Sequence, residues 1–116
     1  NRLVPIHSLI RPMVEARLAE GGEYLIQWQG HRCSESQYRV IWKGLSERLH
    51  IPGTPHSCRH TFESMLDSAG ANRKCIDLLM GHTSKDTGNR VYNHKTLDEL
   101  KTALELVQRK SLLPMV

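Results

Sequence analysis

A chain of 116 residues is one domain's worth, long enough to hide roughly two-thirds of its surface and hold a core. Lys and Arg number 16 against 12 Asp and Glu, a modest basic tilt that fits a nucleic-acid partner without demanding one. No apolar run approaches the ~20 residues of a membrane helix, and three cysteines without a C-x-x-C pair read as reduced thiols of a cytosolic protein rather than a disulfide framework.

The chain opens on "NRLVPI", which reads as a strand over residues 2–6 with an edge-type proline at Pro5. Its abrupt start suggests the middle of a longer protein. From Leu9 to Glu20 the positions Ile10, Met13, Val14 and Leu18 share one helical face. Pro12 suits the first turn, and Gly21-Gly22 ends the helix. "EYLIQW" follows as a short extended or buried piece. Ser34 and Gln37 have capping-box spacing. The helix they open should bury Tyr38, Ile41, Trp42, Leu45 and Leu49, with Arg39 and Lys43 on its other face.

Pro52, Gly53 and Pro55 make a loop. The next helix starts near His56, buries Phe62, Met65, Leu66 and Ala69, and stops at Gly70. Another runs from Asn72 to Met80 and stops at Gly81. Thr83 to Asp86 has capping spacing for a short helix reaching Asn93. Thr96 and Glu99 cap a last helix with Leu97, Leu100, Leu104 and Val107 on one side. That leucine face can close the chain's own core or meet another protomer. The tail "SLLPMV" is apolar. The fold class is mainly α, with a remnant of a small antiparallel sheet.

The segment "TPHSCRHTF" is chemically odd. A helix start already carries partial positive charge, so crowding His56, Arg59 and His60 there costs stability unless an anion docks. His56 and Arg59 are three apart and share a face. His82 follows the helix-stopping Gly81, and Tyr92 comes ten residues later. His60 reads as a structural residue bonded inside the fold. Zinc is a rival use for His56, Cys58, His60, Cys75 and His82, but paired finger spacing is lacking. Cys58 and Cys75 read as small core residues.

"TPHSCRHTF", "LLMGHTS" and "NRVYNHKT", in that order, resemble the C-terminal catalytic domain of the tyrosine recombinases, especially phage and prophage integrases. "RLVPIHSLI" is similar to the segment just after that family's catalytic β-hairpin. The resemblance implies a helical catalytic core. It also implies that residues 1–116 are the C-terminal part of the catalytic domain, with the upstream part and the N-terminal DNA-binding domains absent. Tyr92 then matches the nucleophile that forms a 3′-phosphotyrosyl link. Arg59 matches the second of two arginines on the non-bridging oxygens, His56 the H-x-x-R histidine, and His82 the histidine that hydrogen-bonds the phosphate. The first arginine and the catalytic lysine have no match, so residues 1–116 alone should be inactive or nearly so.

The resemblance further implies double-stranded DNA attachment sites as partners and a homotetramer on DNA. It implies no membrane, no small-molecule substrate, no metal and no cofactor, and a cytoplasmic, nucleoid-associated setting. Because the helix before the H-x-x-R box approaches DNA in this family, Ser36, Arg39 and Lys43 are expected DNA contacts. The chemistry suits these residue types. A tyrosine with a pKa near ~10 needs help to ionise at pH 7, and a guanidinium fork grips two phosphate oxygens where a lysine cannot. Two other readings stand beside this one: a type IB topoisomerase-like enzyme using the same residues, and a non-catalytic helical DNA-binding module.

Overall fold

The computed structural model describes residues 3–82 and 96–108. These form α1 (Arg11–Ala19), β1 (Gln27–Trp28), β2 (His31–Arg32), α2 (Glu35–Leu49), α3 (Pro55–Ser68), α4 (Arg73–Met80) and α5 (Leu97–Glu105). The mainly helical class with a small antiparallel sheet is what the sequence predicts. The expected helix between Thr83 and Asn93 and the apolar tail lie outside the described residues. The contacts divide the described chain into two units, one built from residues 3–9 and those from Arg59 on, the other from Ile10–Cys58.

The first unit holds the core. Leu66 of α3, Cys75, Ile76, Leu79 and Met80 of α4, and Leu100, Ala103 and Leu104 of α5 pack together with Val107. Phe62 and Met65 lie half-buried against them. The spacing explains the arrangement: positions 75, 76, 79 and 80 form one stripe on α4, and 100, 103, 104 and 107 form the facing stripe at α5. Cys75 is buried, as its reading as a small core residue requires, whereas Cys58 is exposed. Cys58 stands one turn before Phe62 on the same side of α3, but the core cluster begins only at Phe62, so the expectation of a core role for it fails.

Residues 3–9 are tied to the end of α5 rather than paired in a sheet. His7 Nε2 donates to the Val107 carbonyl at 2.7 Å, and the Leu9 amide donates to His7 Nδ1 at 3.0 Å. Together these make Nε2 the donor and Nδ1 the acceptor of the ring. Ser8 donates twice to Glu105, from its amide at 2.7 Å and its hydroxyl at 2.6 Å. Lys101 Nζ pairs with Glu105 at 2.6 Å and donates to the Ile6 carbonyl. The strand expected at the chain's start is therefore absent from Leu3 to Ile6. Pro5 has no N–H to give a ladder, and the Ile6 carbonyl is taken by a lysine side chain.

In the second unit, Pro12 sits in the first turn of α1 as expected. β1 and β2 are antiparallel, with Gln27 opposite Arg32 and Trp28 opposite His31. Their two-residue turn has positive φ at both Gln29 (49°) and Gly30 (78°), which suits the right-handed strand twist. The "EYLIQW" segment enters this sheet only at its end. α2 opens on the expected capping box: the Gln37 amide donates to Ser34 Oγ and the Ser34 amide to Gln37 Oε1.

The expected burial of α2 is not found. Tyr38, Ile41, Leu45 and Leu49 are exposed, and Trp42 is half-buried with its Nε1 donating to the Gly53 carbonyl. Ile10, Met13 and Leu18 on α1 are exposed as well. Not one residue of this unit is fully buried. Periodicity fixes which side of a helix could be covered, but burial needs a facing apolar layer, and the unit lays none over either stripe.

Candidate functional site

α3 begins with Pro55, whose fixed φ suits a first helical position. His56 and Arg59 follow, three positions apart, on its exposed start. Arg59 reaches along the first unit to α4, where its Nη2 donates to the Met80 carbonyl at 2.5 Å. Met80 is the last residue of α4, so this carbonyl has no partner further along the helix. The guanidinium satisfies it and sits at the negative end of the helix dipole.

The next two residues make the turn that presents His82. Gly81 adopts φ 73°, its amide bonds the Leu78 carbonyl at 3.2 Å, and the His82 amide bonds the Asp77 carbonyl at 2.8 Å. This pair of bonds is the Schellman closure of a helix, for which glycine is the favoured left-handed residue. The sequence expectation that His82 stands on a tight turn after α4 holds. Arg59 and His82 thus lie at one corner of one unit, joined through Met80. The His82 side chain is half-exposed and its Nδ1 lies 3.9 Å from Asp77 Oδ1.

Behind that corner runs a charged chain that the sequence reading missed. Arg73 donates to Glu63 at 2.8 Å and pairs with Asp77 at 3.1 Å. The Arg73 hydrogen bond holds the Glu63 carboxyl below its usual range, and Glu63, with Asp77, holds Arg73 above its own. The Arg73–Asp77 half was legible as an i, i+4 pair. The Glu63 half links α3 to α4 and carries no local signal.

His60 departs from expectation. It is exposed rather than enclosed and borders an open cavity of about 610 Å³ with Thr61, Ser64, Met65 and Leu106. Ser36, Arg39 and Lys43 all lie exposed on α2, in the other unit, with Arg39 Nη2 held by Glu35 Oε1 at 2.5 Å. Tyr92 lies outside the described residues. Among the described residues, no three His, Cys, Asp or Glu side chains are grouped to hold a metal ion, and no helix is long and apolar enough to cross a membrane.

A corner offering a guanidinium and an imidazole can hold an oxyanion. The model of the phage integrase family matches residues 1–99. The chain is 29% identical to the tyrosine recombinase XerA of Thermococcus kodakarensis over 90% of its own length and 39% of the relative's. It is 30% identical to the tyrosine recombinase XerC of Pelotomaculum thermopropionicum, covering 96% of the chain and 40% of the relative. It is 33% identical to the tyrosine recombinase XerD of Ralstonia nicotianae, covering 88% and 37%. The chain therefore spans about two-fifths of the length of the curated relatives it matches. No solved structure gives a significant match.

Proposed function

The chain belongs to the phage integrase family, and on that premise we propose that it carries the nucleophile and part of the phosphate-binding set of a site-specific DNA recombinase. The phenolic oxygen of Tyr92 attacks a DNA phosphate, a 3′-phosphotyrosyl bond forms, and the 5′-hydroxyl leaves with a proton. The 5′-hydroxyl of the partner strand then attacks that bond and frees the tyrosine. The phosphodiester's energy is conserved, so no external energy source enters. Arg59 grips the non-bridging oxygens, His82 hydrogen-bonds one of them, and His56 assists proton transfer or positions the phosphate.

One observation carries this reading: the Arg59 guanidinium is bound to the carbonyl two residues before His82, so the two groups expected on one phosphate share one corner. The names of the relatives, tyrosine recombinases, support the reaction class. The first arginine and the lysine belong to the part of the catalytic domain upstream of this chain. Double-stranded attachment sites and a tetramer of copies complete the assembly, with Ser36, Arg39 and Lys43 on the DNA. Integration and excision of a phage or prophage element is the finer reading, supported by the family's description alone.

The test is a covalent adduct. The full-length protein, incubated with nicked duplexes carrying candidate attachment sites, is expected to yield a protein–DNA species on a denaturing gel, lost in Tyr92→Phe. Duplex binding with no adduct at any site points instead to a non-catalytic module. Relaxation of supercoiled plasmid without recombinant products points to a topoisomerase.

A further inference from the structure

Asp77 stands on the last turn of α4, where the chain folds back so that His82 returns over it. Its Oδ1 faces two groups: Arg73 at 3.1 Å and His82 Nδ1 at 3.9 Å. The same Arg73 nitrogen, Nη2, donates to Glu63 Oε1 at 2.8 Å. The carboxylate is therefore held by a cation that a second carboxylate also holds, and the same oxygen faces one nitrogen of the His82 imidazole. At 3.9 Å the last contact is an ion-pair distance rather than a hydrogen bond.

We infer that Asp77 is a positioning residue for His82: it keeps the Nδ1 proton on its own side, so that Nε2 is the nitrogen turned to the phosphate. The inference rests on the functional reading above and adds to it a residue that the motif resemblance does not touch. A carboxylate or amide acceptor on one ring nitrogen decides which nitrogen is left for the substrate. Without that acceptor the ring can turn over and present either nitrogen. The Glu63–Arg73 pair acts one step further back, by keeping Asp77 in place.

The test uses the full-length protein and two substitutions. Asp77→Asn keeps an acceptor for the Nδ1 proton, whereas Asp77→Ala removes it. Side-chain ¹⁵N spectra, with His82 identified by its loss in His82→Gln, are expected to show Nδ1 protonated in the parent and in Asp77→Asn. In Asp77→Ala the proton should move to Nε2. Adduct formation on a nicked duplex should fall about tenfold in Asp77→Ala with duplex affinity unchanged, and recover in Asp77→Asn. A ring pattern unaltered by Asp77→Ala overturns the inference, as does adduct formation at the parent rate. A parent protein that yields no adduct strikes the functional reading itself, and the ring pattern then still decides whether Asp77 orients His82.

Discussion

Arg59 is a residue asked to serve two acceptors. A guanidinium has five N–H donors in a rigid fork, and the bond to the Met80 carbonyl uses one. Under the proposed function the others serve a phosphate, and the bond to a helix-end carbonyl fixes where the fork stands. A lysine has one compact charge centre and cannot span both acceptors. In the full-length protein, Arg59→Lys is therefore expected to lower the rate of adduct formation by about 10²-fold or more, despite keeping the charge. Rapid-quench measurement on a nicked duplex checks this. A rate within twofold of the parent would mean that charge alone is needed at position 59, and that the bond to Met80 is incidental.

Elements were legible here wherever a local signal defines them. Thr96 opens α5 with a complete capping box, its Oγ accepting from the Glu99 amide at 3.2 Å while its own amide donates to Glu99 Oε2 at 2.8 Å. Thr96→Ala removes one of the two bonds and is expected to cost about 1 kcal/mol, a few degrees in melting temperature. Thr96→Ser should restore it, and a thermal melt of the three proteins decides. The same local logic located the starts of α2 and α4 and the stop at Gly81. It failed for β2, because Gln29-Gly30 is a weaker turn signal than Asn-Gly. It also failed for the buried stripe of α2, since a 3.6-residue period says where a partner would pack but not that one is present. At the candidate site the motif residues were readable from spacing, while the Glu63–Arg73–Asp77 chain was half hidden. Glu63 and Arg73 stand on different helices, ten residues apart, and only the α3–α4 turn brings them together.

At the scale of the whole molecule, the most distant parts of the described chain meet at Glu105. The carboxylate receives Lys101 and both donors of Ser8, 97 residues away, and His7 lies 3.6 Å from it. The Lys101 bond, then the Ser8 bonds, pull its pKa down from 4.5 to about 2. A group depressed on folding contributes stability above its unfolded pKa, and that contribution is lost as pH falls toward its folded pKa. The clasp should thus be at full strength above about pH 4.5 and fade between there and about pH 2. Glu105 is the group whose charge changes across this window. Glu105→Gln already lacks the charge and should show no such fade. Hydrogen exchange at the Ser8 amide is the direct measurement. Protection in the parent should exceed that in Glu105→Gln at neutral pH, and the two should converge as the carboxylate takes up its proton. A gap that persists undiminished at about pH 2 would mean that shape and packing at the end of α5, rather than the charge on Glu105, hold the start of the chain.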